Sequence, residues 1–115
     1  MRWAWFSGVL HGLVGSTVLF LTLHPLRDAL DAHALELVRV GSAAQAVQGV
    51  ALLVLAQSGR SQIAATLIAG GTAAWAAMVY IIAFTGQHPL DLVVPIGGLT
   101  MMLGWLALLL TPSKA

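Results

Sequence analysis

The chain has no cysteine among its 115 residues, which excludes disulfides, thiolate metal sites and a thiol nucleophile. Charge is nearly as scarce. Asp, Glu, Lys and Arg make up 8% of the residues and hydrophobic residues 59%, whereas a soluble domain carries about 25% charged residues to keep its surface wet. Such a chain cannot cover itself with polar groups. Its net charge of +1 lacks the clustered Lys and Arg that displace counterions from phosphates, so nucleic acid is not an expected partner. There is no Gly-Lys-Ser/Thr phosphate loop, no His-Glu-x-x-His and no serine in a nucleophile elbow. An enzyme is therefore not expected, and no cofactor is implied.

What is present is apolar sequence in long runs. A membrane-crossing helix needs about 20 mostly apolar residues to cover about 30 Å of hydrocarbon. Four stretches qualify: Trp3 to Leu23, Leu37 to Ala56, Gln62 to Phe84 and Leu92 to Thr111. The expected fold is an all-α integral membrane protein, one domain over residues 1–115, with four transmembrane helices in an antiparallel bundle. The first run is longer than a signal-peptide core of about 7 to 15 residues, and it reads as a retained anchor helix.

The joins are short and rich in turn residues. His24-Pro25 opens the first, Gln57 to Ser61 forms the second and Thr85 to Pro89 the third, while Pro112 ends the last helix. Between the first two spans Leu26, Leu30, His33 and Leu37 recur at helical spacing. This predicts a short interfacial helix with Pro25 in its first turn and Arg27 paired to Asp31 at i,i+4. His-Pro-Leu occurs at His24 to Leu26 and again at His88 to Leu90, each time closing an odd-numbered span, as two related helical hairpins would place it.

Lys and Arg favour the cytoplasmic side of a membrane. Arg2, Arg60 and Lys114 fall on one side against Arg27 and Arg39 on the other, which places both termini in the cytoplasm. The acids Asp28, Asp31, Glu36 and Asp91 lie on the opposite face with His24, His33 and His88.

An ionisable side chain at membrane depth is a functional hypothesis by default. His11 lies about 12 Å into the first span, and Gln48 falls at nearly the same depth in the second, at 1.5 Å per residue. Gln45 is one turn from Gln48, and Thr100 lies at about the depth of Gln45, giving a midplane polar belt of His11, Gln45, Gln48 and Thr100. Such residues can simply join helices, at about 0.6 kcal/mol per contact. The alternatives are a small-solute or proton path, or a lipid or quinone site. A haem held by two histidines is disfavoured because no second span contains one. No metal site is predicted; His24, Asp28 and His88 are weak candidates, of suitable ligand type but matching no metal-binding spacing.

Small residues form the remaining pattern. Gly8 and Gly12, with Gly15 and Ser16, Gly70 and Gly71 in the third span, and Gly97, Gly98 and Gly104 in the fourth let helix backbones approach closely. Trp3, Trp5 and Trp105 lie toward one interface and Tyr80 toward the other, as an aromatic belt would.

Val94-Pro95-Ile96-Gly97-Gly98-Leu99 followed by Gly104-Trp105-Leu106 resembles the closing signature of small bacterial inner-membrane proteins grouped as domain of unknown function 423, which have mitochondrial relatives. Tyr80 with Thr85-Gly86, Gln45 with Ala51-Leu52-Leu53, and His24 are similar to positions in that family's earlier spans. The resemblance implies a four-helix protein of the bacterial inner membrane and no known activity. A histidine usual in the family's second span is Gln48 here, and a Phe-Ser-Gly-Ser stretch reads Trp75-Ala76-Ala77-Met78. The expected role is structural or accessory, in contact with membrane lipids and packed as a homo-oligomer or in a larger membrane complex.

Overall fold

The computed structural model describes residues 1–111, so Pro112, expected to end the last helix, and Lys114, one of the basic residues expected to orient the chain, lie outside the described residues. All regular structure within them is helical: α1 (Arg2–Leu21), α2 (Pro25–Ala29), α3 (Ala32–Ser58), α4 (Gln62–Thr85) and α5 (Val93–Leu109). The four longer helices pack antiparallel, with α1 along α3, α4 along α5, and α3 against α4.

Three of them, α1, α3 and α4, are long and apolar enough to cross a membrane. The fourth, α5, is equally apolar but has 17 residues, about 25 Å at 1.5 Å per residue. Its contacts with α4 nonetheless run from Gly97 beside Trp75 to Gly104 beside Ala64, so the two lie side by side over most of their length. Pro95 falls in the first turn of α5, where no intrahelical N–H bond is lost.

The join between α1 and α3 differs from the sequence expectation. The interfacial helix is only the five residues Pro25–Ala29, after which Leu30 is extended at ψ 147°. Asp31 then caps α3, accepting from the Ala34 amide at 2.8 Å. The helix therefore begins five residues before Leu37, and the Leu26 to Leu37 stripe is cut in two. The Arg27 to Asp31 pair is not formed; Arg27 stands 4.0 Å from Asp28 instead. The competition explains this, because a capping Asp stabilises a helix by about 1 kcal/mol and an exposed ion pair by less. At the other joins Gly59 and Gly86 close α3 and α4 in the left-handed region at φ 63° and 70°. Gly59 donates to Leu55 and Gly86 to Ile82, and Ser61 caps α4 through the Ala64 amide.

Large apolar side chains face outward as well as inward. The interior holds Ala4, Ala64, Ala65, Ser42, Thr72, His11, Gln45 and Gln48 beside Val38, Leu52 and Ile68, while Leu13, Phe20, Ile63, Leu103 and Leu109 point outward. A surface of large apolar side chains is what lipid tails solvate, and a small, partly polar interior is what membrane helices pack with.

The two tight interfaces rest on glycine. A methyl group on Gly49 would sit 2.5 Å from the Gly12 nitrogen, and one on Gly71 2.5 Å from the Met101 nitrogen. Gly8, Gly15, Gly97 and Gly104 face neighbouring backbone almost as closely. Of the four glycines expected to carry packing, Gly8, Gly97 and Gly104 do so directly. Gly12 does so by offering its backbone to Gly49, since a methyl group on Gly12 itself would meet nothing within 4 Å. Gly49→Ala should lower the thermal midpoint for loss of folded monomer in detergent, by the equivalent of about 1 to 3 kcal/mol of overpacking. Gly70→Ala, a change into open space, should leave that midpoint unchanged or raise it.

Candidate functional site in the middle of the bundle

The polar residues of the spans are joined by a short chain of hydrogen bonds. Tyr80 of α4 donates its hydroxyl to Gln45 Oε1 at 2.6 Å. The amide nitrogen of Gln45 lies 3.0 Å from His11 Nδ1. An amide NH₂ can only donate, so Nδ1 accepts and the imidazole carries its proton on Nε2. The ring also lies against the backbone of Ala69 in α4. One glutamine in α3 thus connects α1 to α4, with His11 8% and Gln45 6% exposed.

Local structure explains why these side chains meet. Gly8 and Gly15 flank His11 by about one turn on the buried face of α1, and they bring the α1 backbone against Ser42, Ala46 and Gly49 of α3. Gln45 lies within that same stretch of α3. The close approach leaves an imidazole and an amide within direct reach, with no space for an intervening side chain.

A second bond ties the remaining helix. Trp105 of α5 donates its indole N–H to Gln48 Oε1 at 2.8 Å. Thr72 of α4, fully buried, reaches the Met101 sulfur of α5 at 3.3 Å. Among the described residues no buried side-chain nitrogen or oxygen is left without a partner.

The expected belt is therefore brought together only in part. His11 and Gln45 meet, but His11 pairs with Gln45 rather than with Gln48, one turn away from the depth count. Thr100 stays out, because its hydroxyl bonds the Ile96 carbonyl of its own helix at 2.8 Å, as threonine commonly does one turn back. Tyr80 and Trp105, expected at the interfaces, supply donors to the two glutamines. Their signal was present in the sequence: an aromatic ring with a polar tip, when it is partly buried, seeks an acceptor.

The outer residues form no comparable site. Among the described residues no group of three or more His, Asp or Glu is placed to hold a metal ion. His24 precedes α2 without a capping bond, and His88 pairs with Asp91 at 3.0 Å, both exposed. Arg39, at the same end, donates to the Thr22 carbonyl that terminates α1, which accounts for a guanidinium so close to a span.

Antiparallel apolar helices with a lipid-compatible exterior and a fully paired polar interior define a multi-pass helical membrane protein. Residues 21–98, more than half of the chain, match the family described as "Protein of unknown function (DUF423)", and the chain belongs to that family. The matched segment contains Gln45, Gln48 and Tyr80 and ends before Gly104-Trp105-Leu106; His11 also lies outside it. No curated protein and no solved structure matches the chain.

The hydrogen-bond chain has a measurable ordering. Gln45→Leu strands both His11 and Tyr80, so it should destabilise the bundle more than Tyr80→Phe, which removes one donor. A double-mutant cycle on the pair, read by reversible unfolding in mixed micelles, should give a coupling of about 0.6 kcal/mol and at most about 1.7.

Proposed function

We propose that the protein is a structural or accessory component of a bacterial inner membrane, packing with copies of itself or with a larger membrane complex, with both termini cytoplasmic and no catalytic activity of its own. The observation that carries this reading is the closed hydrogen-bonding of the interior. His11, Gln45, Gln48 and Tyr80 are occupied with one another or with Trp105, and the helices around them touch backbone to backbone.

A solute path would need polar groups facing a wetted lumen, and a quinone would need a free donor or acceptor at membrane depth. Here His11 Nδ1, both polar atoms of Gln45 and the Gln48 carbonyl oxygen are already partnered, and Thr100 is turned to its own helix. The orientation draws on Arg2, Arg60 and Lys114 on one side against Arg27 and Arg39 on the other, following the bias of basic residues toward the cytoplasm.

A chain without cysteine makes the association directly testable. Single cysteines replacing Leu13 on α1 and Leu106 on α5, both exposed to lipid, should give a defined cross-linked adduct from at least one position in native membranes. Monomer alone from both, together with a monomer and no bound protein in mild detergent, would overturn the reading.

A further inference from the structure

Helices α3 and α5 do not seal against each other. Between them runs a groove of about 440 Å³, walled by Val47, Val50 and Val54 of α3 and by Trp105 and Leu108 of α5, with Arg60 at its end. The three valines are about 60% exposed, so this wall faces the membrane. Its length is informative. From Val47 to Leu55, the α3 part of its wall, is about 12 Å at 1.5 Å per residue, with Arg60 beyond it, and one leaflet of hydrocarbon is about 15 Å deep, half of the roughly 30 Å core. The groove therefore runs from near the middle of the bilayer to one interface, the path of a single acyl chain.

The chemistry at the interface end selects the headgroup. Arg60 is exposed and lines the groove where α3 and α5 end, beside the Thr111 carbonyl. All four acids of the chain belong to the opposite end of the bundle, and the ion pairs among the described residues involve Arg27 and His88 but not Arg60. Arg60 also directly precedes Ser61, the N-cap of α4, so the positive end of a 24-residue helix dipole adds to its charge. A planar guanidinium beside a helix N-terminus is suited to a phosphate oxygen.

We propose that the groove between α3 and α5 is a binding site for an anionic glycerophospholipid, with one acyl chain laid along Val47, Val50 and Val54 and the headgroup phosphate on Arg60. The site is separate from the His11 and Gln45 network and stands whether or not the chain is an accessory protein. Trp105 forms part of its wall while its N–H is held by Gln48, so the ring presents an apolar face to the chain and leaves no polar atom toward it.

The test is native mass spectrometry of the full chain in mild detergent, titrated with dioleoyl phosphatidylglycerol or dioleoyl phosphatidylcholine. The wild type should retain phosphatidylglycerol in preference. Arg60→Gln should reduce that preference about five-fold, the equivalent of about 1 kcal/mol for one basic residue at an anionic headgroup. Arg60→Lys should keep most of it, and Arg27→Gln, at the other end, should leave it unchanged. Val50→Trp, which fills the groove without touching Arg60, should weaken both lipids. Equal retention of the two lipids by the wild type, or an unchanged preference in folded Arg60→Gln, would overturn the proposal. If Arg60→Gln does not fold, lipid retention unaffected by Val50→Trp would do so.

Discussion

Between helices surrounded by hydrocarbon there is no hydrophobic effect to draw one onto another, so association depends on how closely two backbones can approach. In this chain that approach is made at Gly49 against Gly12 and at Gly71 against Met101. The rest follows from it. Because α1 and α3 touch backbone to backbone, His11 and Gln45 are within 3.0 Å, and because Gln45 is held there its carbonyl oxygen is available to Tyr80. Remove the close contact and the polar residues would be left to find water or lipid carbonyls at a cost of several kcal/mol each. The seams and the hydrogen bonds are in this sense one device, the first supplying proximity and the second direction.

Much of the fold was legible in the sequence, for reasons that can be named. Runs such as Gln62 to Phe84 announce a helix because lipid permits little else, and the observed α4, Gln62–Thr85, differs by one residue. Gly8, Gly97 and Gly104 could be recognised as packing residues because glycine in a membrane helix has few other uses. Gly49 could not, since the other glycine of α3, Gly41, faces Val79 of α4 instead, and only the facing helix reveals what Gly49 accommodates. Helix α3 extends beyond the apolar run from Leu37 because apolar content marks the part of a helix in hydrocarbon, whereas the helix itself starts where Asp31 can cap it.

The site was legible in its members and not in its pairing. Counting depth along two helices assumes that they are parallel to the bilayer normal and that side chains extend straight across. Long side chains lean back along their own helix, and His11 meets Gln45 rather than Gln48 by one turn. Gln48 is thereby left for Trp105, whose place near the end of α5 suits an interfacial ring as well as a donor. Thr100 shows the converse limit, because a hydroxyl can be satisfied within its own helix and so its depth says nothing about its partners.

The two closest interfaces, α1 with α3 and α4 with α5, each join helices that are consecutive crossings in the chain. Contacts between neighbours in sequence form early, because little chain entropy must be lost to make them. The first hairpin is complete at Ser58, and it needs nothing from α5 to make its glycine contact. The second hairpin closes by the same kind of contact, and the turn at Gly59 has only to bring two finished halves together. Gln45 finds His11 within the first hairpin, whereas Gln48 has its partner only when Trp105 of α5 packs against α3.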